Sequence, residues 1–231
     1  MNSFQIKIFA IVCMVIDHVG LFFFPHIVIM RVIGRLAFPL FAWLIANGAH
    51  YTHNIKVYIL RLLALAVVTQ VPFWYVNQLV GSPALYFDVV FTLVLGLTAI
   101  MVIQNVSNRW LWLTTTLCCA VLAVICNTDY GAAGVLSVVA FYVFRNDFRA
   151  MVFSQTVILG ILPMFIYQLQ SHFVIDLSYL YDSSFLEFFG LLSLFIIYSY
   201  NNKRGIPAKY LFYIFYFLQY VTILAVKLAL G

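Results

Sequence analysis

The feature that most limits what this chain can become is a succession of long apolar runs broken only by short polar punctuation. The first, Phe4 to Phe24, contains Gln5, Lys7, Asp17 and His18 and is otherwise apolar or glycine. A run of this length and hydrophobicity crosses a bilayer, where the backbone must satisfy its own hydrogen bonds and a helix does so. The punctuation divides the chain into about nine helices, near 4–24, 30–49, 55–76, 84–103, 109–126, 132–145, 150–169, 185–200 and 209–229. The sixth is short for a bilayer, which calls for tilt, extension or a re-entrant course. Hydrophobic residues make up 65% of the 231 and charged residues 8%, against about 25% charged in soluble domains. The expected fold is all-α, a polytopic transmembrane bundle forming a single domain over 1–231. No soluble domain, linker or internal repeat is visible.

Charge sets the expected orientation. Lys7, Lys56, Arg61, Arg109, Arg145, Arg149, Lys203, Arg204 and Lys209 all fall on one side of this arrangement, and only Arg31, Arg35 and Lys227 do not. Short loops rich in Lys and Arg stay cytoplasmic, so the N-terminus is expected inside and the C-terminus outside. The basic residues are scattered singly, which argues against nucleic acid as a partner and for membrane lipid. Acidic residues lean the other way: Asp17, Asp88, Asp129, Asp176, Asp182 and Glu187 map to the outer half. They do not set topology, so a polar site in the outer half of the bundle is one reason for them to be there. Cys13, Cys118, Cys119 and Cys126 lie in or beside apolar runs without metal-ligand spacing, and are expected to be free buried thiols with no metal site. Span one lacks a small-residue cleavage site and carries charge, so it does not read as a signal peptide.

Asp17 and His18 are the first candidates for chemistry. Ionisable groups at membrane depth are costly and mark sites of proton transfer, ion binding or catalysis; the alternative is a polar pair satisfied by neighbouring helices. Lys7 precedes His18 by eleven residues, close to three helical turns, so the two share a face about 16 Å apart along the axis. Lys7 also reads as ordinary anchoring at a cytoplasmic helix end. Arg31 and Arg35 form an i,i+4 pair in span two, followed by Pro39, which bends a helix and frees a carbonyl. Arg35 cannot discharge itself, and Asp17 is its nearest partner by depth, in a bidentate bridge that is either structural or part of a ligand site. Gln70 with Pro72 ends span three. Asp88 and Thr92 share a face at the start of span four, and Asp129, Tyr130 and Gly131 precede span six. Tyr213, Tyr216 and Tyr220 stripe the last helix beside Gln219, more in the manner of packing than of catalysis. His50 and His53 with Lys56 and Arg61 form a cytoplasmic cluster that suits either an anionic ligand or plain solvation; His26 and His172 read as loop residues. No Gly-rich phosphate loop, Ser-His-Asp order or His-Glu-x-x-His helix is present.

The segments Met14-Val15-Ile16-Asp17-His18-Val19-Gly20 and Ile33-Gly34-Arg35-Leu36-Ala37-Phe38-Pro39-Leu40-Phe41-Ala42 resemble the TraX family. So do Gln70-Val71-Pro72-Phe73, Phe91-Thr92-Leu93 with Gly96, Asp129-Tyr130-Gly131 with Gly134-Val135-Leu136, and Lys203-Arg204-Gly205 with Lys209-Tyr210-Leu211-Phe212-Tyr213-Ile214-Phe215-Tyr216. The resemblance runs in order through the whole chain. It implies an acetyltransferase of the bacterial inner membrane that modifies a conjugative pilin N-terminus with acetyl-CoA as co-substrate. Two departures from the family stand out: the last helix reads Tyr216-Phe217-Leu218-Gln219-Tyr220 where the family has Tyr-Pro-x-His-Leu, so that proline and histidine are both gone, and Asp88 stands where an asparagine is expected. The Lys7-to-His18 spacing also resembles a pattern of membrane-embedded sugar O-acyltransferases, whose intramembrane histidine is the base. These likenesses imply catalysis by His18 with Asp17, and acceptor or oxyanion contacts from Arg35, Thr92, Asp129, Tyr130 and Gln70. Acetyl-CoA would then be held by Lys7, Arg61 and His50, and the acceptor would be extracytoplasmic, a pilin or a glycan. A proton-coupled carrier using Asp17, His18 and Asp88, or an inactive assembly subunit, are the rival readings.

The charge bias carries a direct test. In a cysteine-free background, an impermeant thiol reagent applied to intact cells is expected to label a cysteine at position 128 and not one at 204. Labelling at 204 alone would invert the topology.

Overall fold

A computed structural model describes residues 1–79, 86–165, 183–207 and 210–230. Among these residues the fold is all-helical, apart from an isolated parallel bridge between Phe87 and Thr128. The helices are α1 (Ser3–Phe23), α2 (Val28–Gly34), α3 (Ala37–Tyr51), α4 (Ile55–Leu79), α5 (Val89–Asn105), α6 (Arg109–Ile125), α7 (Gly131–Val143), α8 (Phe148–Gln155), α9 (Ser183–Phe188), α10 (Ser193–Tyr198) and α11 (Leu211–Leu230). A π-helical stretch, Thr156–Ile161, continues α8, and a 3-10 turn, Phe189–Leu192, joins α9 to α10. Five stretches are long and apolar enough to cross a membrane: Ser3–Phe23, Val28–Tyr51, Ile55–Leu79, Phe148–Phe165 and Leu211–Ala229. Val89–Asn105, Arg109–Ile125, Gly131–Val143 and Phe185–Tyr198 are shorter and also apolar. Each run expected from the sequence overlaps one of these stretches, with shifted ends. His172, Asp176, Asp182 and Lys209 lie outside the described residues.

The chain groups into two compact units, Met1–Asn47 with Ala140–Pro207, and Gly48–Val139 with Ala208–Gly231. In the first, α1 and α2 form an antiparallel pair joined by a short turn. Their crossing is close because glycines face the partner helix. A Cβ on Gly20 would stand 2.7 Å from the Met30 Cβ, and one on Gly34 would stand 2.2 Å from the Asp17 Cβ. Asp17 therefore lies directly on the backbone of α2.

The start of α1 is fully satisfied. Asn2 and Gln5 form a reciprocal capping box, each side chain accepting from the other's backbone N–H at 2.9 Å. Ser3 and Phe4 donate their N–H groups to the carbonyls of Lys203 and Arg204 at 2.9 and 3.2 Å. The loop can approach because Gly205 adopts φ +73 against Asn2, a backbone region that glycine enters without a Cβ penalty. Lys7 and the Lys203–Arg204 pair thus belong to one end of this unit.

Prolines act as expected in one place and not in another. α2 stops at Gly34 and α3 begins at Ala37, because Pro39 has no N–H for the Arg35 carbonyl. Gly190 packs into that break: a Cβ there would lie 3.1 Å from the Arg35 carbonyl oxygen and 3.2 Å from Pro39 Cγ. Pro72, by contrast, does not end its helix, since α4 runs on to Leu79. Pro72, Phe73, Val76 and Asn77 are buried there, and α4 packs on α5 and α11 in the second unit. That burial outweighs the one backbone bond that Pro72 cannot donate to the Val68 carbonyl; separately, Asn77 Nδ2 donates to the Phe73 carbonyl at 2.9 Å. The four cysteines are free, as the sequence indicates, but Cys118 is exposed while its neighbour Cys119 is buried. Adjacent residues on a helix point about 100° apart, so both cannot face inward.

The α1–α2 contact makes a prediction. Gly34→Ala has no room and is expected to destabilise the detergent-solubilised protein by about 1–3 kcal/mol, the usual cost of overpacking. Ile33→Ala, at an exposed neighbouring position, should change little. Equal melting temperatures for Gly34→Ala and the parent would contradict the close crossing.

Candidate functional site

The first unit places its charged groups around Asp17. Arg31 Nη1 meets Asp17 Oδ1 at 2.8 Å and also reaches the Asp17 carbonyl at 3.3 Å. Arg35 Nη2 lies 3.4 Å from Oδ2 and 3.5 Å from Oδ1. Both arginines come from α2 and its C-terminal cap, one turn apart, so they straddle the carboxylate resting on Gly34. The expected Arg35–Asp17 pair is present, but not as a bidentate fork. Arg35 reaches both carboxylate oxygens through Nη2, and Arg31 is the closer partner. A bidentate fork needs the guanidinium edge square to the carboxylate, and here two guanidiniums share it.

His18 follows on the same helix and packs on Phe22, one turn later, with ring centroids 6.1 Å apart. Both Asp17 oxygens are engaged by arginine, and the carboxylate also acts electrostatically on the neighbouring imidazole. Lys7 is partly buried three turns earlier, close enough to Arg204 for their charges to repel. Sequence reasoning did not pair Lys7 with that loop. The only signal was that Lys7, Lys203 and Arg204 share a predicted membrane side.

The second unit holds the other expected residues. Asp88 is the N-cap residue of α5, yet its side chain does not cap the helix. It is 1% exposed and accepts from Tyr216 of α11 at 2.5 Å, with Thr69 of α4 at 3.1 Å. Tyr220 lies 3.5 Å beyond Tyr216, oxygen to oxygen. Gln70 serves the backbone on both sides of Phe87: its Oε1 accepts from the Asp88 N–H at 3.1 Å and its Nε2 donates to the Tyr86 carbonyl at 3.0 Å. Thr92 turns elsewhere, to Thr128 Oγ1 at 2.9 Å and to the Asp129 carbonyl. Asp88 and Thr92 share a helix face but not a partner.

The loop before α7 is fixed to this cluster. Phe87 donates to the Asn127 carbonyl at 3.1 Å and accepts from the Asp129 N–H at 2.9 Å. Asn127 and Tyr130 hold φ of 50 and 61, a left-handed conformation that non-glycine residues adopt at a cost when the surroundings impose it. Asp129 Oδ1 accepts from the Tyr130 N–H at 3.1 Å. His50 is exposed at the end of α3, edge-on to Tyr51 at 4.9 Å. Arg61 Nε donates to the Val57 carbonyl of its own helix at 3.1 Å.

Of the residues singled out from sequence, Asp17, His18, Arg35 and Lys7 belong to the first unit. Gln70, Thr92, Asp129, Tyr130, Arg61 and His50 belong to the second. Thr69 was missed, although it is a lone hydroxyl in an apolar stretch just before Gln70. Tyr216 and Tyr220, a packing stripe by sequence, also carry hydrogen bonds.

Apolar helices of spanning length, with ionisable groups set among them, define a polytopic helical membrane protein. The chain belongs to the TraX family: the family described as "TraX protein" matches residues 3–227. It is 33% identical over 113 residues to the "Probable fimbrial assembly protein FimC, serogroup H1" of Dichelobacter nodosus, covering 44% of this chain and 46% of that protein. It is 47% identical over 38 residues to "Uncharacterized protein RP591" of Rickettsia prowazekii (strain Madrid E), covering 16% of this chain and 15% of that one. The matched regions thus span less than half of either relative. No solved structure matches.

The shared carboxylate predicts unequal arginines. Arg31→Gln is expected to destabilise by about 1–3 kcal/mol, below the cost of breaking a fully buried pair because both partners keep some exposure. Arg35→Gln should cost less. A double-mutant cycle with Asp17→Asn should show coupling of about 0.5 kcal/mol or more for Arg31. Additive effects would remove the ion pair from the list of stabilising contacts.

Proposed function

We propose that the protein is a membrane-embedded acetyltransferase of the bacterial inner membrane, moving an acetyl group from cytoplasmic acetyl-CoA to an extracytoplasmic acceptor such as a pilin N-terminus or a glycan hydroxyl. The observation that carries this reading is His18 in a membrane-spanning helix, beside an arginine-held carboxylate, in a chain of the TraX family. In this scheme the imidazole takes the proton of the acceptor amine or hydroxyl as its nitrogen or oxygen bonds to the thioester carbonyl carbon. The carbon–sulfur bond then breaks and CoA leaves as a thiolate, which takes up a proton. Arg31 and Arg35 supply a positive field where the oxyanion develops, while Asp17 fixes their positions. Lys7, at the end of α1 that meets the Lys203–Arg204 loop, suits the phosphates of CoA.

A non-catalytic assembly subunit is the second reading. The fimbrial assembly protein of Dichelobacter nodosus, named for assembly and not for transfer, is the observation that favours it.

The two separate on one experiment. His18→Ala is expected to lower acetyl transfer, or acetyl-CoA hydrolysis, by about 10²–10⁴-fold, the usual contribution of a general base, in a protein that still folds. Gln219→His should be tolerated. Mass spectrometry of the acceptor, together with saturable CoA binding in detergent, provides the readout. Full activity in His18→Ala would remove the histidine from the mechanism, and absence of CoA binding would leave the assembly reading.

A further inference from the structure

Asp88 stands apart from the first unit's charges in one respect: it is a buried carboxyl without a cation. It is 1% exposed, and among the described residues no lysine, arginine or histidine pairs with it. The groups around it come from three directions. Thr69 and Gln70 approach from α4, Tyr216 and Tyr220 from α11, and the Asp129 carboxylate acts at longer range from the loop before α7. All are neutral except Asp129, which repels negative charge.

The positions of the protons follow from counting. The Thr69 hydroxyl has one proton, and its oxygen lies 2.9 Å from the Leu65 carbonyl, 3.3 Å from the Ala66 carbonyl and 3.1 Å from Asp88 Oδ2. A helical threonine in apolar surroundings gives its proton to the carbonyl four residues back. Once Leu65 receives it, the contact with Oδ2 needs a proton from Asp88. The other oxygen, Oδ1, accepts from Tyr216. With the acid neutral, the chain Asp88 to Thr69 to Leu65 is complete and each group is used once. With the acid ionised, Thr69 must abandon Leu65, and a full charge sits out of water with two hydroxyls and the Val89 N–H as donors and, among the described residues, no paired cation, an arrangement that costs more than the neutral acid.

We propose that Asp88 is a proton-binding site: it stays loaded as the neutral acid at neutral pH, and in that form ties α4, α5 and α11 together through Thr69 and Tyr216. Loss of the proton would put a charge between those helices and loosen the grip of α4 on α11.

Two measurements test this. Infrared spectroscopy of the full chain in detergent at about pH 7 should show a carboxylic-acid C=O stretch, sensitive to deuteration, that Asp88→Asn removes. Asparagine has the shape of the neutral acid: its amide can donate to Thr69 and its carbonyl can accept from Tyr216. The second readout is the pH dependence of melting. A carboxyl that is protonated when folded but ionises when unfolded makes the folded state bind the extra proton, so stability falls as pH rises above the ordinary carboxylate range. The parent should therefore lose melting temperature relative to Asp88→Asn between about pH 5 and about pH 8. A parent that gains on the variant over that range, or an unchanged infrared band in Asp88→Asn, would overturn the proposal. Should Asp88→Asn fail to fold, Tyr216→Phe supplies the assignment: removing the donor at Oδ1 must shift the acid band, and an unshifted band also overturns it.

Discussion

A single carboxylate organises the first unit. Asp17 lies on the α-carbon of Gly34, with its two oxygens turned to Arg31 and Arg35. Any side chain at position 34 would occupy the volume of the carboxylate itself, so the ion pair and the close helix crossing depend on the same missing Cβ. The arginines in turn need that carboxylate, because a guanidinium cannot lose its charge at membrane depth. Two residues of a short helix, its C-terminal cap and one residue of its antiparallel partner are therefore interdependent. Their placement next to the break at Pro39, where Gly190 fills the gap, extends the constraint to the following helix. His18 inherits its position from this arrangement, next to a carboxylate that it shares with two guanidiniums.

Elsewhere polar side chains spend much of their capacity on backbone. The capping box and the Lys203–Arg204 carbonyls satisfy the first N–H groups of α1. Gln70 bridges the extended residues before α5, Gln104 Nε2 caps the Ala49 carbonyl at 2.9 Å, and Thr92 holds the loop before α7. In hydrocarbon each unsatisfied donor or acceptor costs several kcal/mol. A chain with so few polar residues places them where helices begin, end or break. Gln70, Thr92 and Asp129 are well explained as fasteners of this kind, whatever else they touch.

Membership of the TraX family and the ionisable cluster of the first unit bear on function differently. The family fixes the kind of protein; the cluster supplies a histidine, two guanidiniums and a carboxylate whose positions are mutually enforced. The second unit contributes a different chemistry, a carboxyl buried among hydroxyls. A carboxyl so placed has more in common with a stored proton than with an ion pair.

The sequence by itself determined the helical class and the location of the apolar stretches, because hydrophobicity at bilayer length leaves the backbone no alternative. It also marked Asp17, His18, Arg31, Arg35, Asp88 and the last-helix tyrosines, since polar groups in apolar runs are conspicuous. Partners were less legible. Arg31 rather than Arg35 became the closer ion-pair partner, and Asp88 and Thr92 parted although they share a face. Thr69, silent in the sequence, became a partner of Asp88, and α4 passed through Pro72. Those outcomes turn on ångström-scale approaches between helices, such as Asp17 over Gly34, and the order of residues along one chain does not encode the distance to another helix. Only the packed tertiary structure sets it.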